Sequence, residues 1–128
     1  MKRLMTQPNT QRCITTWEWH VLPFSGMCPF SGNPQTGSQL AILYRPGRTF
    51  LEVYALNAYI EDFKGGRGVV RDMEGMIQVI AQDCANTLDT GVTVGAYIRL
   101  HDGNAMTVMC QAMPKYQFSA RAGNLAMR

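Results

Sequence analysis

The stretch "MCPFSGNPQTG", residues 27–37, sets one thiol, Cys28, at the head of a run of turn-forming residues. Pro29, Ser31, Gly32, Asn33, Pro34 and Gly37 build tight turns and leave backbone N–H groups without partners. N–H groups gathered around a thiol stabilise its anion, and the thiolate is the nucleophilic form. The competing reading makes Cys28 a small buried hydrophobe beside Met27. The other chemistry-bearing types lie apart. Cys13, Cys84 and Cys110 show no C-x-x-C spacing, and His20 and His101 are isolated. A structural zinc site is therefore not expected. No glycine-rich phosphate loop, paired-carboxylate spacing or His/Asp partner motif accompanies the thiol.

A chain of 128 residues suits one domain over one core, so residues 1–128 read as a single unit with its core at about 13–113. Apolar residues make up 46% and charged residues 16%, and the apolar runs are short, which excludes a disordered chain and a membrane-spanning helix. The formal charge of +3 is small and its basic residues are scattered, so a phosphate-bearing partner is permitted without being implied. "MKRLMTQPNT" has charge but no apolar stretch behind it. It does not read as an export signal, and the expectation is a cytoplasmic protein with reduced thiols and no membrane partner.

The elements that must hold Cys28 follow from periodicity. "CITTWEWHV" is β-branched and aromatic and predicts a strand; "SQLAILYR" places Leu40, Ile42 and Tyr44 on one face of another. Cys28 falls in the loop between them. Leu56, Tyr59, Ile60 and Phe63 recur at helical spacing before "KGGRG", predicting a short helix closed by glycines. Asp72 caps a second helix whose apolar stripe runs from Met73 through Met76, Ile77, Ile80, Ala81 and Cys84 to Leu88, which makes Cys84 a core residue. Val92 to Leu100 and Met106 to Ala112 alternate with period two around "HDGN", a β-hairpin. The order strand, strand, helix, helix, strand, strand points to an α+β fold with a four-stranded antiparallel sheet and both helices on one face. The first dozen residues and "QFSARAGNLAMR" lack periodicity, and both are expected to be mobile or used in subunit contacts.

The segment running from Pro23 through Cys28 to Phe63 resembles the core of the 7-cyano-7-deazaguanine reductases, the QueF family, whose hallmark is a cysteine in a C-P-x-[ST]-G-x-P-D loop after a strand. The likeness extends over about residues 17–112. It implies the tunnelling fold, in which ββααββ subunits form homo-oligomeric rings, a pentamer or face-to-face decamer, with active sites between neighbours. It also implies a cysteine that adds to the nitrile of 7-cyano-7-deazaguanine to give a thioimide, which the reductases reduce twice with NADPH.

By position, Cys28 matches the nucleophile, and Ser31 and Gln35 belong to the substrate-facing loop. Glu74 matches the glutamate that anchors the pyrimidine edge of the base, where a carboxylate accepts paired N–H donors. On residue type alone Glu74 reads first as a first-turn acid favoured by the helix dipole. Glu52 matches the start of the family's E-[SL]-K-[SA]-x-K-x-aromatic cofactor segment, with Ala55 and Tyr59 also fitting; on residue type it is equally a solvated strand-end charge.

The departures carry information. Tyr54 and Asn57 stand where the cofactor segment has lysines, which removes the counter-charges for NADPH phosphates. Gln35 replaces the loop aspartate, and an amide shuttles no proton at neutral pH. Met73 replaces the histidine beside the anchor glutamate, and Glu61 and Asp62 offer replacement carboxylates. The loss of both lysines resembles the QueF-like amidinotransferases, which use ammonia in place of NADPH and form the amidine of archaeosine-type bases, whereas the loss of the aspartate fits neither branch. The implied substrate is the 7-deazapurine base, free or carried in tRNA or DNA, with no cofactor beyond ammonia as co-substrate. The alternatives are a divergent NADPH-dependent nitrile reductase, a non-catalytic deazapurine-binding ring protein, and a tunnelling-fold enzyme acting on pterins. The last usually needs metal-binding histidines, a set that His20 and His101 do not form.

Overall fold

Alternation along the strands decides which face of the sheet is covered. The computed structural model describes residues 2–66 and 72–115. Strands β2 (Glu18–Pro23), β3 (Gln39–Tyr44), β5 (Val92–Arg99) and β6 (Ala105–Ala112) form a wholly antiparallel sheet in the order β2-β3-β5-β6. The register lines up Leu22, Leu40, Ala96 and Val108 in one row across the sheet and His20, Ile42, Val94 and Cys110 in the next. Because side chains alternate with period two, these rows share a face. They meet Leu56, Tyr59 and Ile60 of α1 (Val53–Glu61) and Met76, Ile77, Ile80, Ala81, Cys84 and Leu88 of α2 (Met73–Leu88) in one core. Full burial of an Ile or Leu contributes about 1.5–3 kcal/mol before chain entropy is set against it. The opposite face leaves Trp19, Val21, Tyr97 and Met109 exposed.

The helix ends follow their local chemistry. Asp72 caps α2, its carboxylate accepting the Gly75 N–H at 2.5 Å, and Glu74 stands in the positively polarised first turn. Asp89 closes the helix in the left-handed region at φ 55°. Glu52 caps α1 by accepting the Ala55 N–H. The β5–β6 turn places Gly103 at φ 90°, as "HDGN" requires.

Two features differ from expectation. β2 starts at Glu18, not at Cys13, because Glu18 pairs with Tyr44, the last residue of β3; Arg45-Pro46 then leads the chain away and nothing remains for residues 13–17 to pair with. The opening segment is also tied down. β1 (Thr6–Pro8) pairs antiparallel with β4 (Thr49–Leu51), and the Glu52 N–H donates to the Met5 carbonyl. Three-residue strands are too short to show a period. The segment 117–128, named above as an irregular end, lies outside the described residues.

Candidate active site around Cys28

Residues 24–38 connect β2 to β3, and the sequence alternates anchors and polar turns along them. Phe24 and Met27 are fully buried and pin the loop to the core. The Phe24 N–H donates to the Ser38 carbonyl (3.1 Å), the Gly26 N–H to Pro34 (2.8 Å), and the Cys28 N–H to Asn33 (2.8 Å). The Gly32 N–H closes a turn onto the Cys28 carbonyl, and Gly32 takes φ 72°, where a side chain would be strained. Met27 occupies the buried position, so Cys28 beside it is only partly covered. The thiol is not enclosed in packing.

The groups aimed at the sulfur are donors. The Ser31 hydroxyl, then the backbone N–H groups of Ser31 and Phe30, hold the Cys28 thiol below the ordinary thiol range. The Ser31 N–H lies 3.5 Å from Sγ. Ser31 Oγ accepts the Asn33 N–H (3.2 Å), which leaves its own hydrogen to point at sulfur. Ser31→Ala is expected to move the pH–rate profile for iodoacetamide labelling of Cys28 upward and to slow labelling at neutral pH roughly threefold or more, because losing a donor disfavours the anion. A profile identical to that of the parent would remove the hydroxyl from this account.

Asn33 is the centre of the loop's attachment to β5. Its buried Oδ1 accepts the His101 backbone N–H at 2.8 Å and Gln35 Nε2 at 3.0 Å, while its Nδ2 meets His101 Nδ1 at 3.1 Å. Gln35 Nε2 also donates to the Ser31 carbonyl (3.0 Å), and the Gln35 N–H to the Arg99 carbonyl (2.7 Å). Ser38 Oγ donates to the Gln35 carbonyl (2.7 Å) and accepts the Arg99 N–H (2.8 Å). The Gly65 N–H reaches the Gly26 carbonyl, which joins the turn after α1 to the same loop. A cavity of about 370 Å³ lined by Gln35, Thr36, Arg99, Leu100, His101 and Gly103 opens beside it.

The residues named from sequence therefore separate. Cys28, Ser31 and Gln35 share one loop. Both Gln35 amide hydrogens are spent on Ser31 and Asn33, so its free end is the acceptor Oε1. Glu74 is exposed at the start of α2. That helix ends just before β5 begins, and β5 returns to the loop at Arg99, so Glu74 lies at the Cys28 end of the domain. Glu52 lies at the other end, next to Leu51, whose N–H is bonded to the hydroxyl of Tyr44 at the far end of β3. Of the two carboxylates offered as replacements, Glu61 is paired with Lys64 (2.9 Å) and Asp62 accepts the Lys2 N–H (2.7 Å).

Sequence reasoning missed Asn33, Ser38, Arg99 and His101 as members of this site. Asn33 was legible only as one turn residue among those of "CPFSGNPQTG". Among the described residues no group of three or more His, Cys, Asp or Glu is placed to hold a metal ion, and no helix is long and apolar enough to cross a membrane. No protein-family model matches the chain, and no curated protein sequence matches it.

Proposed function

We propose that this chain is a QueF-like enzyme of the tunnelling fold, in which Cys28 adds to the nitrile of a 7-cyano-7-deazaguanine base and ammonia resolves the thioimide to an amidine. The observation that carries the reading is the Cys28 thiol, held partly open in a hydrogen-bonded loop with the Ser31 hydroxyl and the Ser31 and Phe30 N–H groups directed at it. The four-stranded antiparallel sheet with both helices in one core supports it. So do the two edge strands β2 and β6 and the exposed apolar face bearing Trp19, Val21, Tyr97 and Met109, which suit burial in a ring of subunits.

The chemistry balances without an oxidant or reductant. Sulfur forms a bond to the nitrile carbon, one carbon–nitrogen π pair moves onto nitrogen, and nitrogen takes up one proton, equal to the one the thiol has lost. Ammonia then adds to the same carbon, the carbon–sulfur bond breaks, and a proton returns to the thiolate. Gln35 has no amide hydrogen left to give the nitrile nitrogen, so the proton arrives through solvent on the open side of the loop. Glu74 is the base anchor carried over by resemblance, and the exposed start of α2 leaves its carboxylate available to a ligand.

Intact-mass analysis after incubation with the cyano base tests the reading. An adduct on Cys28 that is absent in Cys28→Ala, and that yields amidine with an ammonium salt, is the expected result. No adduct ends the covalent proposal. Consumption of NADPH in place of ammonia would make the chain a nitrile reductase, and base binding that survives Cys28→Ala without any adduct would make it a binding protein.

A further inference from the structure

A cluster of Glu18, His20 and Tyr44 stands at the end of the domain opposite Cys28, and its hydrogen count leaves two acceptors over. Tyr44 gives its one hydroxyl hydrogen to Glu18 Oε1 at 2.6 Å, while its oxygen accepts the Leu51 N–H at 2.8 Å. His20 Nε2 lies 2.7 Å from the same Oε1, and a carboxylate oxygen only accepts, so Nε2 carries the hydrogen. Stacking on the Tyr44 ring, with centroids 5.8 Å apart and planes at 17°, holds the imidazole in place. In the neutral ring Nδ1 is then an acceptor. Among the described residues neither Nδ1 nor Glu18 Oε2 has a hydrogen-bond partner, although His20 is only 9% exposed.

Both residues open on one cleft of about 390 Å³, whose walls include Gln7 of β1, Phe50 and Leu51 of β4 and Val53 at the start of α1. Tyr44 shapes this space. By bonding Glu18 and Leu51 at once it ties the β1–β4 pair to the edge strand β2 and leaves a gap between them. The volume lies toward the small end of ligand sites, which run from about 300 to about 1,000 Å³. Among the described residues no lysine or arginine lines the cleft, and the ion-pair partner of Glu18 is His20, which supplies no permanent charge. What enters thus meets one carboxylate, two open acceptors and an apolar wall.

We infer that this cleft is a binding site for a planar organic cation, a guanidinium or amidinium group. Open acceptors beside a carboxylate suit a ligand that carries several N–H donors and a positive charge. A guanidinium is flat and weakly hydrated, so it enters a cleft walled by Phe50, Leu51 and Val53 at lower cost than an ammonium ion does. A partly buried carboxylate without a permanent counter-charge gains most from such an occupant. The group comes from one of two sources, a free small molecule or an arginine side chain of a second copy of this chain. The site is separate from the Cys28 loop, and the inference does not rest on the reaction proposed there.

The test is a titration of methylguanidinium into the nitrogen-15-labelled full chain, followed by NMR, with urea as a neutral probe of similar shape and methylammonium as a cation without the planar fork. Saturable shifts of the Leu51 and Val53 amides and of the His20 ring nitrogens, at lower concentration than methylammonium requires and with no saturable response to urea, are the expected result. Glu18→Gln keeps an acceptor for Tyr44 and His20 and should weaken binding about tenfold, because it removes the charge. Val53 is 52% exposed and stands outside that hydrogen-bonded cluster, so Val53→Arg should fold normally, place a tethered guanidinium at the cleft and abolish binding of the probe. It decides the matter if Glu18→Gln does not fold. No saturable shifts, an equal response to urea, or unchanged binding in either folded variant overturns the inference. Light scattering with and without the probe separates the sources: an oligomer that methylguanidinium dissociates assigns the site to an arginine of a second copy, and an unchanged mass assigns it to a free small cation.

Discussion

Asn33→Ala will destabilise the fold by about 2–4 kcal/mol and slow Cys28 labelling at neutral pH, although residue 33 touches the sulfur through no side-chain atom. The amide is buried and serves three partners: the His101 N–H, Gln35 Nε2 and His101 Nδ1. Alanine strips all three of their part-buried bonds and leaves two N–H donors and one ring nitrogen without the partner that the amide supplied. The loop then loses its attachment to the end of β5, and with it the geometry that aims Ser31 at the sulfur. Urea midpoints at unchanged slope measure the first effect, and iodoacetamide kinetics measure the second. Asn33→Asp keeps the acceptor at Oδ1 and should lose less stability than alanine. Equal loss in both would show that the cost comes from packing and not from these bonds.

Alkaline pH will unfold the protein at unusually low denaturant, with most of the change between about pH 9 and 11. Burial, followed by the neighbouring Asp83 charge, pushes the Cys84 thiol up to about 12. Burial also raises the Tyr44 and Tyr59 hydroxyls far above their ordinary range, with Glu18 and Asp83 as their next causes. In the unfolded chain these groups ionise near their ordinary values, about 8.5 for a thiol and about 10 for a phenol. Above those values the folded state binds more protons than the unfolded state, so stability falls as pH rises. The full contribution is present below the unfolded values and is lost as pH rises toward the folded ones. Each such group contributes a slope of about 1.4 kcal/mol per pH unit, so Cys84 alone removes about 3 kcal/mol by about pH 11. Urea midpoints across this range measure the fall. Cys84→Ala should flatten the slope by one group's share whatever it costs at neutral pH, and an unchanged slope would mean that Cys84 ionises alike in both states.

How far the molecule was legible depended on the range of the interactions involved. Helix α2 could be read almost to the residue, because its cap at Asp72 and its stripe from Met76 to Leu88 are local patterns that tertiary structure only had to accept. The β5–β6 hairpin was equally plain, its alternation and "HDGN" turn lying within a short stretch of chain. Strand β2 was read too long, since its start depends on where β3 runs out of partners, and β1 and β4 were not seen at all. Cys28 could be singled out by its turn residues, yet its partly open position rests on Met27 taking the buried place beside it.

By itself the amino-acid order determined the two helices, the core faces of β3, α1, α2 and the β5–β6 hairpin, and the loop in which Cys28 sits, because propensity, capping and periodicity act over a few residues. Only the tertiary structure decided that Asn33, Ser38, Arg99 and His101 join that loop while Glu52 stands at the far end of the domain. The bonds that bring residues 33 and 101 together close a long stretch of chain, and a hydrogen bond between side chains distant in sequence leaves no periodic trace for a reader to find.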